Sequence, residues 1–328
     1  MKKIVDIVIP WVDGNDEKWQ KEKRKYDSSK GDDREIRYRD WDLLKYWFRG
    51  VEKFAPWIRK VHFITYGHLP EWLNINCEQL HIVNHRDYIP HEYLPTFSSH
   101  VIEMNMHRIQ GLSEYFIYAN DDMFFTAVTE QKDFFKKGLP VDCPIENVQH
   151  FKKGGIDLIT ANNLSVLNGH FQKRQCLRKN AGKWFSPRYK AGLLRNIYMM
   201  PFANFVGFMN PHIIFPYLKS TFAQIWREEP ELMREVCSHR FRSNEDVNQW
   251  LARYWQFASG KFMPGNPGLG QFFSIGRDDE QIREAITKQK YKVICLSDDD
   301  MHLDYDKEKV FLRQCFDRIL PEKSIFEK

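Results

Sequence analysis

Four short apolar runs, interleaved with segments of helical periodicity, constrain the fold of this chain most. Residues 4–10 (IVDIVIP) alternate too little for a surface strand and run into Trp11-Val12-Asp13-Gly14-Asn15-Asp16, so they read as a buried strand entering a loop. Residues 41–54 (WDLLKYWFRGVEKF) place apolar groups at helical spacing, with Pro56 just beyond. Residues 61–66 (VHFITY), with Gly67 behind them, predict a second strand, and 80–83 a third, shorter one. Ser98 is placed to cap a helix that runs to Ile109, with Gly111 past its end. Residues 115–119 (YFIYA) predict a further strand that ends at Asn120-Asp121-Asp122. The connections are long enough for crossovers, so the pattern predicts an α/β fold: a mostly parallel, Rossmann-like sheet flanked by helices. Ligands of such open sheets sit beyond the carboxyl ends of the strands. Both acidic loops, 13–16 and 121–122, fall at such ends.

The remainder is less regular. Residues 126–211, rich in Gly, Asn, Lys and Arg, read as short strands and helices with long loops. From 216 to 258 the pattern turns helical, 280–288 is a further helix, and 293–296 a short strand followed by Ser297-Asp298-Asp299-Asp300 and an amphipathic helix over about 307–319. The late strand is expected to join the first sheet. The expected organisation is an α/β core over 1–125, an irregular insertion over 126–211, and a helical segment with a returning strand over 212–328, together one unit, with the insertion left by elimination as the place for recognition of a second ligand.

Composition narrows the function classes. With 42% hydrophobic and 28% charged residues the chain is ordinary for a globular protein. Its 15% aromatics belong first to a core and second to a carbohydrate-lined cleft. A net charge of +5 without interleaved basic and aromatic modules gives no case for nucleic acid. The basic stretch 18–25 (KWQKEKRK) reads first as the solvated face of a helix and second as a peripheral contact with an anionic membrane or glycan. No two of the six cysteines stand as C-x-x-C, and Asp6 interrupts the only early apolar run, so reduced thiols in the cytoplasm are the expectation. No window approaches the length of a spanning helix, so any membrane is met from the side, at the inner face of a plasma membrane.

The charged loops are the candidates for chemistry. Hard divalent cations take oxygen ligands, and magnesium in particular is held by one or two carboxylates together with phosphates. Asp in a turn after a strand also has a plainer role as a cap, and that reading competes for Asp16 and Asp299. His212 stands in Asn210-Pro211-His212. Arg240 and Arg242 stand just before Ser243-Asn244-Glu245-Asp246, which reads as the capping box of a helix start. Arginine suits bidentate phosphate contact, whereas pairing with nearby Glu is its plain alternative. Spacing alone reaches an anion-binding α/β protein and stops there.

Specific strings go further. Trp11-Val12-Asp13-Gly14-Asn15-Asp16 resembles the opening motif of the Stealth family of sugar-phosphate transferases. Similar to its second region are Arg39-Asp40, Phe48-Arg49, Ala55-Pro56-Trp57-Ile58-Arg59-Lys60, Glu92-Tyr93-Leu94-Pro95-Thr96-Phe97-Ser98-Ser99, Ile102-Glu103, His107-Arg108-Ile109 and Tyr118-Ala119-Asn120-Asp121-Asp122-Met123-Phe124. His212 with Arg240-Phe241-Arg242 resembles the third region. Ile294-Cys295-Leu296-Ser297-Asp298-Asp299 resembles the fourth, with Ser297 where Asn is expected. The family includes bacterial capsular and cell-surface polysaccharide phosphotransferases and the catalytic subunit that starts the mannose-phosphate tag on lysosomal enzymes; the compact chain is more similar to the former.

The resemblance implies a nucleotide-sugar transferase-like fold. It implies transfer of a hexose-1-phosphate, often N-acetylhexosamine-1-phosphate, from a UDP-sugar to a hydroxyl of an oligosaccharide or polysaccharide, lipid-linked acceptors included. A phosphodiester forms and UMP leaves. On this reading Asp121, Asp122 and Asp298 hold Mg2+ or Mn2+, while Asp13, Asn15, Asp16, Asn120 and Arg240 contact the donor. Arg240 and Arg242 clamp phosphate oxygens, and His212 is the general base with Asp13 as its rival. Two alternatives stand beside it: a metal-dependent glycosyltransferase that releases UDP, and a carbohydrate-binding assembly component without turnover.

Overall fold

The computed structural model describes residues 3–26, 40–150, 156–298 and 303–328. Arg39, Asp299 and Asp300 lie outside the described residues. Among the described residues the strands are β1 (Val5–Pro10), β2 (Val61–Thr65), β3 (Leu80–Asn84), β4 (Tyr115–Tyr118), β5 (Met123–Phe125), β6 (Phe135–Lys136), β7 (Leu139–Asp142), β8 (Phe215–Leu218), β9 (Met263–Pro264), β10 (Gly270–Ser274) and β11 (Val293–Ser297). The main sheet has the order β3-β2-β1-β4-β8. β1 pairs in parallel with β2 and β4, and β2 with β3. The expected α/β architecture with a parallel-dominated sheet is therefore present. β1 and β4 lead to opposite halves of the sheet, and the crevice at their carboxyl ends is where the strand order reverses.

The strands form where predicted because both faces are covered. Val5, Ile7, Val8 and Ile9 are fully buried, as are Phe63, Ile64, Phe116 and Ile117. The helix Leu44–Phe54 buries Tyr46, Trp47, Phe48, Val51 and Phe54. Removing a side chain such as Phe48 from water is worth on the order of 2–3 kcal/mol. Gly50 lets this helix lie directly on β5: a Cβ there would stand 2.8 Å from the Phe125 carbonyl oxygen. The second predicted helix is Ser99–Asn105 with a 3-10 turn to Arg108, and Gly111 follows at φ +76°, the left-handed conformation glycine tolerates.

Three expectations are corrected. Residues 215–218 are a strand, not helix: β8 pairs antiparallel with β4, Phe215 opposite Tyr118 and Leu218 opposite Tyr115. The late strand does not join the first sheet. β11 pairs with β10 and, antiparallel, with β5 in a separate sheet of order β10-β11-β5, because the chain leaves the main sheet at the Asn120–Asp122 turn and β5 offers its edge there. Third, Ser243 to Asp246 is a turn; the helix begins at Gln249, with Asn248 as its side-chain cap.

The middle of the chain is mostly helical, with Asp157–His170, Lys173–Lys179, Ala181–Trp184 and Gly192–Met199. Every residue of the helix Gln249–Ala258 is buried, against Asp157–His170 among others.

Candidate active site

Strand directions assemble the site. β4 ends at Tyr118, and the acidic turn follows. β8 runs antiparallel to β4, so its entry, with His212 just upstream, lies beside the same end. β11 runs antiparallel to β5, and its Leu296 N–H donates to the Asp122 carbonyl at 2.9 Å, which brings Cys295 alongside the acidic turn, while Asp298 follows just past the end of β11 and is not among the ligand atoms gathered there. Segments about 90 and about 175 residues further along the chain thus converge on the acidic turn through antiparallel pairing.

Asp122 and His212 are in contact, Oδ2 to Nε2 at 3.5 Å. Burial disfavours the imidazolium, but the Asp122 carboxylate outweighs it and raises the His212 pKa; Glu103 adds to that and Arg242 opposes it. Surrounding protein, then the neighbouring Asp122 charge and more weakly Asp40, push Asp121 up to about 7. Its side chain still reaches solvent, so crowding and like charge, rather than full enclosure, describe its setting.

Ligand atoms of Asp122, His212 and Cys295 lie within 4.8 Å of one another, the one such group among the described residues. Asp122 Oδ1 is buried without a hydrogen-bond partner among them. Two adjacent carboxylates, one with an orphaned buried oxygen, fit a hard divalent cation. The thiol of Cys295 does not suit magnesium and would instead favour a softer metal.

The first acidic loop is held differently. Asp13 N–H donates to His68 Nε2 at 2.8 Å, and the Asp13 carboxylate receives Asn15 N–H at 2.9 Å. Burial lowers the His68 pKa against the charges of Asp16 and Asp13, in keeping with a neutral ring that accepts at Nε2. Asp16 receives Trp19 N–H at 2.6 Å and so takes the plainer role, closing the start of the helix Glu17–Tyr26. Asn120 closes the β4 turn, its carbonyl accepting from Met123 N–H at 3.2 Å. The basic stretch 18–25 forms the helix Glu17–Tyr26, of which Trp19 and Lys23 are buried.

The two arginines separate. The Arg240 guanidinium donates to the Pro95 carbonyl at 2.8 Å and lies over Tyr26 at 4.6 Å, so it serves the framework. Arg242 is exposed, donates to Ser99 Oγ at 3.0 Å and acts electrostatically on His212 and Tyr118. The loop that carries it is clasped to the helix Ser99–Asn105. Phe97 N–H donates to the Arg240 carbonyl at 2.7 Å, Phe97 stacks on Phe241, and buried Asp246 meets His100 and His239 at 2.7 Å each.

Sequence reasoning quoted Glu103 only within a string, yet this buried carboxylate accepts from Tyr118 O–H at 3.0 Å and raises His212. It also missed Arg253. This buried guanidinium pairs with Asp142 at 2.7 and 2.9 Å and donates to the Met209 carbonyl and to Asn210 Oδ1 at 3.0 and 2.8 Å, fixing the residues just before His212. The available signal was physical: a lone Glu or Arg within an apolar helical run must be paired when buried.

The Stealth protein conserved region 1 matches residues 5–31 and conserved region 2 residues 37–141. Over 99% of both chains, this one is 42% identical to the capsular polysaccharide phosphotransferase WcwK of Streptococcus pneumoniae. It is 38% identical to the receptor polysaccharide phosphotransferase WefC of Streptococcus gordonii over 98% of both chains. It is 37% identical to the exopolysaccharide phosphotransferase cps2G of Lactiplantibacillus plantarum over 99% of this chain and 96% of that one. Among solved structures, the bifunctional glycosyltransferase WbbM aligns with a TM-score of 0.37 at 8% identity, over 97% of this chain and 52% of that one, too low to bear on the fold. With whole-length relatives of this kind and both conserved regions in place, the chain belongs to the Stealth family and is a polysaccharide phosphotransferase.

Proposed function

We propose that the donor is a UDP-sugar and that the enzyme transfers its hexose-1-phosphate, N-acetylhexosamine-1-phosphate included, to a glycan hydroxyl. The acceptor oxygen attacks the phosphorus that bears the sugar, the bond from that phosphorus to the bridging oxygen breaks, and UMP leaves. The observation that carries this reading is the meeting of Asp122 and His212 beyond the carboxyl end of β4, with Asp121 beside Asp122 and Arg242 in electrostatic reach. Asp121 and Asp122, with Asp298 two residues past Leu296, are the groups to hold Mg2+ or Mn2+. When bound, such an ion neutralises charge on phosphoryl oxygens.

The protein's own groups do the rest. His212 takes the proton of the acceptor hydroxyl, and its pairing with Asp122 makes the imidazole a stronger base. Asp13 is the alternative base, from the end of β1. Arg242 contacts the donor phosphates, whereas Arg240 acts by shaping the loop. Asp13, Asn15 and Asn120 line the donor side, and residues 126–211 supply the acceptor side.

The test is the nucleotide released. Purified protein with a panel of UDP-sugars, Mg2+ or Mn2+ and cell-surface oligosaccharides should yield UMP and a phosphodiester by mass spectrometry. Release of UDP with a plain glycosidic product would replace this reading with glycosyl transfer, and glycan binding without donor consumption would remove both.

A further inference from the structure

Residues 158–227 hold ten of the chain's 49 basic residues and none of its 44 acidic ones. The positive charge of the protein is therefore concentrated here, and the remainder of the chain is net acidic. Within this stretch the helix Gly192–Met199 departs from ordinary surface patterning. A helix on a globular protein turns its apolar stripe inward and a polar face outward. Here the inward face is fixed largely by polar bonds. Buried Asn196 donates to the carbonyls of Pro144 and Trp184 at 3.1 and 2.8 Å and accepts from Glu146 N–H at 2.8 Å. Lys173 donates to the Met199 carbonyl at 2.7 Å and pairs with Glu146 at 2.7 Å. The outward face carries Leu194, 69% exposed, and Tyr198, 75% exposed, one helical turn apart, with Ile197 beside them. Exposed Met200 and Phe202 extend the patch past the helix end. Arg188, Lys190 and Arg195 flank it and are exposed.

We propose that this face seats the enzyme on an anionic lipid bilayer. Leucine, isoleucine and tyrosine on a rigid helix, with phenylalanine just past its end, suit the boundary between headgroups and acyl chains, and exposed Arg188, Lys190 and Arg195 beside them complement anionic headgroups. A second copy of the chain would meet the same basic charge on itself, which disfavours a self-contact. Position gives the face a use. The segment that receives Asn196 also forms a bridge from Glu146 to Phe208, and Met209 N–H donates to the Ile145 carbonyl at 2.8 Å, three residues before His212. The bilayer contact thus adjoins the approach to His212, where an acceptor glycan carried on a lipid would be presented. The surface claim itself is independent of the donor chemistry.

The test is sedimentation of the full-length protein with vesicles, which needs no turnover. Phosphatidylglycerol–phosphatidylcholine vesicles should capture it, pure phosphatidylcholine should capture far less, and added salt should weaken capture. Leu194→Glu/Tyr198→Glu should lower partitioning about tenfold or more with an unchanged melting temperature. Lys18→Glu/Lys21→Glu, on the other basic helix, should leave it unchanged. Equal capture of the Leu194→Glu/Tyr198→Glu variant, or loss confined to Lys18→Glu/Lys21→Glu, overturns the proposal. So does a wild-type dimer in light scattering that the Leu194→Glu/Tyr198→Glu variant dissolves, which would assign the face to a second copy.

Discussion

Asp6 stands in the middle of β1 with apolar neighbours, a placement that interrupts the apolar run in the sequence and that the structure explains. Its carboxylate accepts from Arg59 at 2.8 and 2.6 Å and from Ser113 N–H at 2.8 Å, and meets His62 at 3.2 Å. Burial alone would raise its pKa, but His62, Arg59 and Ser113 hold it at about 2, below the ordinary 3.8. A carboxyl with a depressed folded-state pKa stabilises the fold above the unfolded value and loses that contribution as pH falls toward the folded one. Asp6→Asn should therefore cost on the order of 2–3 kcal/mol at neutral pH. The gap from wild type should close between about pH 4 and pH 2; urea melts across that range check it, and a constant gap would refute the assignment. His212 poses the complementary question about chemistry. His212→Ala should retain donor affinity and lose about 10²–10⁴-fold in turnover, measured as nucleotide release at saturating donor. Near-normal turnover would pass the role to Asp13. At this scale the sequence exposed the candidates but not their duties: Asp16 and Asp122 are both acids beyond a strand, and only the partner each meets distinguishes a helix cap from a site carboxylate.

Elements were legible where a single local pattern decides them. The runs that became β1, β2 and β4 are mostly apolar because both sheet faces are covered, and periodicity sees that directly; Asp6 and His62, polar exceptions in β1 and β2, meet each other. β8 escaped because Phe215-Pro216-Tyr217-Leu218 contains proline, which central strands exclude. β8 is an edge strand, where the missing N–H costs nothing, and its polar contacts go instead to Gln256: Leu218 N–H donates to Gln256 Oε1 at 2.9 Å. In the sheet β10-β11-β5 only β11 was expected as a strand; 123–125 and 270–274 escaped because they are short, so pairing rather than propensity makes them strands. The helix Gln249–Ala258 was expected, but its role in the site was not. Its Arg253 ties Asp142 to Asn210, and through Asn210 it sets the approach to His212. Arg253→Met should destabilise the fold by about 3–5 kcal/mol, since it leaves Asp142 buried without its charge partner. Arg253→Met/Asp142→Leu should recover most of that stability in thermal melts while turnover stays low, because Asn210 and the Met209 carbonyl then lose the guanidinium and Asn210 keeps its bond to the Tyr254 hydroxyl alone among the described residues. Recovery of turnover together with stability would reduce Arg253 to a packing residue.

Across the whole molecule, the site belongs to no single stretch of sequence. Asp122 comes from the end of β4, His212 from the entry to β8, Arg242 from a loop clasped to the helix Ser99–Asn105, and Asp298 from the end of β11. Spacing alone cannot gather such residues, because antiparallel returns from distant segments leave no local signature, whereas the family's motifs name them stretch by stretch. A site of this construction couples binding to stability. The ligand-free protein holds adjacent carboxylates whose repulsion works against the packed state, and a cation with a nucleotide-sugar would join segments from both halves of the chain. Anything that binds only the folded state stabilises it by RT ln(1 + [L]/Kd), about 2.7 kcal/mol at a hundredfold excess over Kd. UDP-sugar with Mg2+ or Mn2+ should therefore raise the melting temperature by several degrees. Either component alone should do less, since donor phosphates supply part of the cation's ligands and the cation screens the carboxylates from the phosphates. Asp122→Asn should abolish the joint effect while it leaves the unliganded melt intact or slightly higher, because it relieves the repulsion with Asp121. A shift of the same size in Asp122→Asn would place the donor elsewhere on the protein.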